Sequence, residues 1–461
     1  MRKKLMMNFV LILALVAGIV LQAQSAGEIS LEELTSIKEN ATINEDTEAI
    51  INAVTNSSIN DLALNRENVG KIDHLFDYKI ETPSITDQES SGRCWLFTAL
   101  NVLRPKIVKQ YNLEDFEFSE NYLFFWDQFE KANLFLENTI ATIDKDINHR
   151  RVQHLFKSPI GDGGAWQMMP PIAEKYGVVP KSVMPETQNS RDTDTMGDLL
   201  DTKLRQLGMK LRSLENKDEE FLRSKKRNML SEIYRILVIS LGNPPEEFTW
   251  RYVEKGDSTI IEKQYTPQKF YQEAVKPHLG SYIMLMDVPS KEYYKYYEIE
   301  WNRNRFDGPN WNFVNVPSEE LAKYAKESIL NDEAMYFSCD VGAQLNSKAG
   351  ILDINNYDYN SLFGVSFDMT KKERILSYES GSTHGMALIG LDTTASGDVQ
   401  KWLLENSWGE DAGYKGYLTM TDEWFDAYSF RLVVKDEFLP EKIIKITEQE
   451  PILLPPWDRM R

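Results

Sequence analysis

The sequence predicts an α+β protein, helical in its first part and strand-rich in its last, with a large helical insertion between the two. Three observations carry this. From Asn101 to Ile143 the pattern is mostly helical and rich in aromatics, with Tyr122-Leu123-Phe124-Phe125-Trp126 read as core packing. From Met196 to Leu241 the chain is charged and amphipathic with no Pro, which predicts two long helices. From about residue 334 the character turns to short strands at 335–338, 385–391, 401–405, 417–420 and 430–434.

In chain order, residues 1–23 read as a signal peptide. Arg2, Lys3 and Lys4 precede an unbroken apolar run from Phe9 to Leu21, too short for the ~20 residues of a membrane span. Cleavage is expected after Ala23 or Ser25, leaving an exported protein, periplasmic or secreted, with no stable membrane span. Residues 24–72 form a polar N-terminal arm, in which Ser30-Leu31-Glu32-Glu33 is a capping-box pattern that opens a helix. Residues 73–194 form the helical part. The Gly161-Asp162-Gly163-Gly164 break is followed by a short helix up to Gly177, with Pro170 and Pro171 in its first turn. The helical insertion is placed at 195–330, with aromatics and turns at 246–300 and a last helix at 317–331. Residues 331–461 form the strand-rich part and the C-terminal tail.

Composition excludes several classes of function. The chain has 461 residues, two Cys, five His and a formal net charge of −19. This excludes a disulfide scaffold and a Cys-rich zinc array. A strongly acidic chain lacks the basic face that phosphate binding needs, so no nucleic acid is expected as a partner. The basic run Arg223-Ser224-Lys225-Lys226-Arg227 reads as a solvated helix face. No HExxH is present, and His149 and His154 read as surface residues, so neither a metal nor another cofactor is expected.

The residues that carry chemistry fall in two clusters. Cys94 follows a Gly-containing turn and precedes the mainly apolar stretch Trp95 to Leu103. That puts it at the N-terminus of a buried helix, where free N–H groups favour a thiolate. His384 opens an apolar strand, and Asn406 ends another in Glu405-Asn406-Ser407-Trp408-Gly409. A thiol nucleophile needs a base, and the base needs an orienter. Cys94, His384 and Asn406 supply these in that order, with the Asn oxygen fixing the imidazole tautomer. The Gln88 amide can join the Cys94 N–H in receiving an oxyanion. Taken singly, these are a buried cysteine, a core histidine, a turn asparagine and a surface glutamine; together they make a catalytic set.

Gln88 spaced before Cys94-Trp95, a later His384-Gly385 and Asn406-Ser407-Trp408-Gly409 resemble the papain-like cysteine peptidases. Ser91 and Arg93 depart from the usual C-G-[SA]-C-[WY] signature, and His384 lies much further from Cys94 than the usual ~130–150 residues. Both departures match one branch. Ser91-Gly92-Arg93-Cys94-Trp95, Leu241-Gly242-Asn243-Pro244-Pro245, Cys339-Asp340-Val341-Gly342 and Thr421-Asp422-Glu423-Trp424-Phe425 resemble the bleomycin hydrolase and aminopeptidase C family.

The resemblance implies a papain-like two-subdomain fold, helical and β-barrel-like, with the site in the cleft between. It implies Cys94 as nucleophile, His384 as base and then acid, Asn406 as orienter, Gln88 in the oxyanion hole and Trp408 shielding the Asn–His bond. Gly163 and Gly164 would be the strip along which substrate backbone pairs; unaided, they read as a tight turn. The implied activity is release of N-terminal residues from peptides, in a homohexameric ring. The tail would enter the cleft and offer the carboxylate of Arg461 to the substrate's amine. This chain stops a few residues earlier than is usual in the family, so some internal cleavage is expected as well. The same triad would also serve amide hydrolysis or acyl transfer on non-peptide compounds, and an exported binding protein on an inactive peptidase fold is the non-enzymatic alternative.

Overall fold

The computed structural model describes residues 27–460. The signal peptide expected at residues 1–23 and Arg461 lie outside the described residues. The chain divides into two compact units, one running up to Leu64 and joined by Asp358–Ser366, the other comprising Asn65–Tyr357 and Phe367 onward. In the first unit, Leu31–Asn40 is a helix opened by the expected capping box. The Ser30 hydroxyl accepts from the Glu33 N–H at 3.0 Å, and the Glu33 carboxylate accepts from the Ser30 N–H at 2.8 Å. Helices Glu45–Asn56, Ile59–Ala63 and Tyr359–Phe363 complete it.

The second unit carries the site. Its first helices are α1 (Cys94–Gln110) and α2 (Glu120–Ala141), followed by α3 (Asp194–Ser213) and α4 (Glu219–Leu241). α1 is buried continuously from Trp95 to Arg104, so it is a core helix with no solvent face over that stretch. α2 begins where Ser119 caps the Tyr122 N–H. Its Leu123, Phe124, Phe125 and Leu136 are buried, each stabilising the fold by about 1.5–3 kcal/mol relative to exposure. Pro170 and Pro171 sit in the first turn of the helix Met169–Tyr176, which Gly177 ends at φ +81°.

The helices pack on one twelve-stranded sheet. Its strands include β1 (Tyr282–Met286), β2 (Lys295–Ile299), β3 (Trp311–Asn315), β4 (Met335–Cys339) and β5 (His384–Thr393). β6 (Val399–Glu405), β7 (Tyr417–Thr421), β8 (Ser429–Lys435) and β9 (Ile452–Leu454) follow. The order across the sheet is β9-β2-β3-β1-β8-β4-β5-β6-β7. The five strands read from sequence are β4 to β8. Between β3 and β4 lies α5 (Ser318–Leu330), the helix expected at 317–331.

The segment 195–330 is less helical than expected. After α4 it forms a hairpin of Phe248–Val253 with Ile260–Tyr265, then supplies β1, β2 and β3 to the main sheet. The reason is tertiary. Tyr282-Ile283-Met284-Leu285-Met286 is a short apolar run without clean alternation, and pairing with β8 and β3 makes it a strand buried from Met284 to Met286.

The sheet separates two cores. Tyr336, Ala387, Ile389 and Val433 face the core shared with α1 to α4. Met335, Phe337, Cys339 and Leu388 face the other, shared with Leu321, Tyr324 and Ala325 of α5. Strand alternation therefore puts Cys339 in the core across the sheet from the helices.

Candidate active site

Three short backbone segments meet at one cavity of about 730 Å³. It is lined by Gln88 and Cys94 on one side, Gly163 and Gly164 on another, and His384, Gly385, Tyr336 and Arg431 on the sheet. Cys94 is the first residue of α1, as the sequence predicts, and α1 lies against β5. Trp95 fixes the next turn, because its indole N–H donates to the Asp162 carbonyl at 2.8 Å. The Asp162 carboxylate accepts from the Gly92 N–H at 2.6 Å and the Thr193 hydroxyl at 2.6 Å, tying the glycine strip to the turn before Cys94.

His384 is the first residue of β5, opposite Cys339 on β4. Its Nε2 lies 2.8 Å from the Asn406 Oδ1. The Ser407 N–H also donates to that oxygen at 2.8 Å, which fixes the orientation of the Asn406 amide. Nε2 must then carry the proton, and Nδ1 is left with a lone pair. The Trp408 ring lies 4.7 Å from the His384 ring, centroid to centroid. Both His384 and Asn406 are buried. The segment leading into His384 is held by Asp340, whose carboxylate accepts from the Ser380 hydroxyl at 2.7 Å, and by the Cys339 carbonyl, which accepts from the Thr383 N–H at 2.9 Å.

Gln88 is clamped from both ends. Its Oε1 accepts from the Ser407 hydroxyl at 2.7 Å, and its Nε2 donates to the Ser91 carbonyl at 2.5 Å. A primary amide has two N–H bonds, so one remains for an acceptor near Cys94. Antiparallel bridging of Asp87 with Trp408 and the Gln88 N–H bond to the Ser407 carbonyl (2.8 Å) dock the Gln88 and Asn406 segments together.

The electrostatics of the two reacting groups are set mainly by burial. Burial pushes the Cys94 thiol up, against the pull of the Gly385 and Trp95 backbone N–H groups and the Arg431 guanidinium. Burial also pushes His384 down to about 4, against the Asn406 bond that raises it. The backbone N–H groups at the helix start favour a thiolate, as the sequence predicts, and burial opposes them. The bond to Asn406 leaves His384 the Nδ1 lone pair that a general base needs before it takes the thiol proton.

The two glycines differ. A Cβ on Gly164 would lie 2.6 Å from the Trp95 ring, so the strip needs Gly there for internal packing. A Cβ on Gly163 would meet nothing within 4 Å. Its carbonyl accepts from Lys131 at 2.7 Å. The sequence gives no site role to three residues that line the cavity, Tyr336, Arg431 and His154, the last read as a surface residue. Asp162 and Ser407, which brace the site by hydrogen bonds, had a local signal in Gly161-Asp162-Gly163-Gly164 and Asn406-Ser407-Trp408-Gly409. Tyr336 and Arg431 sit on separate strands that only the sheet register brings together. Neither cysteine is bonded to the other. Among the described residues no group of three or more His, Cys, Asp or Glu is arranged for a metal ion, and no helix is long and apolar enough to cross a membrane.

A thiol at a helix start, an imidazole with one nitrogen fixed by an asparagine, and a spare amide N–H are the groups that a thiol-nucleophile site of the cysteine peptidase kind requires. The chain belongs to the peptidase C1-like family, whose model matches residues 28–461. It is 40% identical to human bleomycin hydrolase over 433 residues, covering 91% of this chain and 95% of that protein. It is 38% identical to aminopeptidase C of Lactobacillus delbrueckii subsp. lactis, covering 94% and 98% of the two chains. The crystal structure of PepW from Lactobacillus rhamnosis HN001 superposes with a TM-score of 0.90 at 36% identity, covering 94% of this chain and 99% of that one.

Proposed function

We propose that this protein is a papain-like cysteine peptidase that releases N-terminal residues from peptides. The observation that carries this reading is the His384–Asn406 bond in the cavity wall shared with Cys94, which leaves Nδ1 as the base. His384 takes the thiol proton as the sulfur attacks the peptide carbonyl. The oxyanion is received by the free Gln88 amide N–H and the Cys94 backbone N–H. His384 then gives the proton to the leaving amine, and water hydrolyses the thioester by the same route in reverse. Trp408 keeps water from the Asn406–His384 bond, and Gly163 and Gly164 offer backbone to the substrate. The aminopeptidase mode is supported by the relatives named aminopeptidase C. Pro456 lines the same cavity and Met460 is buried nearby, which supports a tail that restricts one end of the cleft.

Export belongs to this proposal on the pattern of residues 1–23, and a homohexamer on the family resemblance. The test is mass spectrometry of a defined peptide over time, beside its N-acetylated twin. Stepwise loss from the free N-terminus with the acetylated peptide intact supports the reading. Equal internal cleavage of both would replace aminopeptidase with endopeptidase.

A further inference from the structure

Arg431 is a buried cation with no carboxylate partner among the described residues. Its residue surface is 5% exposed, and it lines the cavity that holds Cys94. The guanidinium stacks 3.8 Å over the Trp311 ring, and Nη2 donates to the Met460 carbonyl at 3.1 Å. Nε has no partner, and no bond from Nη1 is found. The nearest acid along the paired strand, Asp287 just after β1, is taken by Lys371 at 2.6 Å and Tyr293 at 2.7 Å.

Beside it lies a second unused polar group. Tyr336 is 2% exposed, lines the same cavity, and its hydroxyl makes no hydrogen bond among the described residues. The register explains the pairing. Arg431 on β8 and Gly385 on β5 both stand opposite Ser338 on β4, and Tyr336 is two residues along β4 on the same face. The hydroxyl is 3.2 Å from where a Cβ on Gly385 would be. A buried guanidinium without a counter-ion costs several kcal/mol, and such a cost is retained where an anion is to be received. Trp311 offsets part of it and holds the guanidinium flat. A planar cation with free N–H groups beside a hydroxyl matches a carboxylate.

We propose that Arg431 and Tyr336 form a carboxylate-binding subsite in the floor of the cleft beside Cys94. Its ligand is a carboxylate of the peptide substrate within a residue or two of the cleaved bond, or one at the end of the protein's own C-terminal segment, which already reaches Arg431 through Met460. The inference rests on the peptidase reading, and cleavage of the glutamine peptides below reports on that reading separately.

The experiment compares kcat/KM for alanine hexapeptides carrying Glu or Gln at the first, second or third residue. A substrate carboxylate gives a Glu-over-Gln preference of about tenfold or more at one position, as a charge-assisted bond implies. Arg431→Met brings that ratio to one, whatever the absolute rate, and Tyr336→Phe lowers it. If the protein's own carboxylate fills the subsite, the ratio is one in the full chain. It then rises in a chain ending at Arg459 and falls again when Arg431→Met is added. Should Arg431→Met fail to fold, Tyr336→Phe and the truncated chain carry the comparison. A ratio near one in both chains, or a preference untouched by both substitutions, overturns the proposal.

Discussion

Replacing Asn406 gives the most detailed check on how the site works. Its Oδ1 accepts from the His384 Nε2–H and the Ser407 N–H, each at 2.8 Å, and all three residues are buried. Asn406→Ala orphans both donors, at about 1–3 kcal/mol each, unless water enters. It also frees the tautomer, so Nδ1 no longer reliably carries the lone pair. Activity should fall on the order of 100-fold, the usual contribution of a positioned base. Asn406→Asp is the sharper variant. A carboxylate in place of the amide stabilises the imidazolium, so His384 rises from about 4. A base works only when unprotonated, so the acid limb of kcat/KM, near pH 4 in the native protein, should move upward in Asn406→Asp. The assay is kcat/KM of a fluorogenic aminoacyl amide from pH 3.5 to 8, with thermal denaturation of each variant. If Asn406→Ala stays within about threefold of the native rate and the acid limb does not move in Asn406→Asp, the orienting role is wrong.

Four further outcomes follow from the geometry and the charge. Denaturation without reductant should release two free thiols, because Cys339 packs in the core across the sheet; finding none would contradict the packing. Gly164→Ala should cost about 1–3 kcal/mol in chemical denaturation, since Trp95 is pinned by Asp162 and cannot yield. Gly163→Ala should leave stability unchanged while lowering kcat/KM; equal stability of the two variants would refute the distinction. The protein should not retain DNA in a gel shift at ~150 mM salt. The basic run on α4 is largely engaged, with Arg223 on Glu137 and Glu219, Lys226 on Glu137, and Lys225 over the Phe221 ring.

What could be read from the sequence follows from how local each signal is. Cys94 at a helix start and His384 at a strand start were legible because the neighbouring residues change character at those points. β4 to β8 were legible as short apolar runs between turns. β1 to β3 were not, because their strand character comes from partners far along the chain and their side chains do not alternate cleanly. Arg431 and Tyr336 were invisible for the same reason: only pairing through Ser338 sets them beside Gly385. The helix start that favours a thiolate at Cys94 was legible, whereas the burial that opposes it comes from packing the sequence does not report.

The central claim is that Cys94 is the nucleophile of a peptidase, and Cys94→Ala tests it most directly. The substitution removes one sulfur atom at a partly exposed helix start and should leave folding unaltered. Wild-type protein and the variant, matched by circular dichroism and thermal midpoint, are given the same free-amine peptide, and products are followed by mass spectrometry. The account predicts a time-dependent series of shortened peptides with the native protein and none with the variant. A folded Cys94→Ala protein that produces the same series would contradict it.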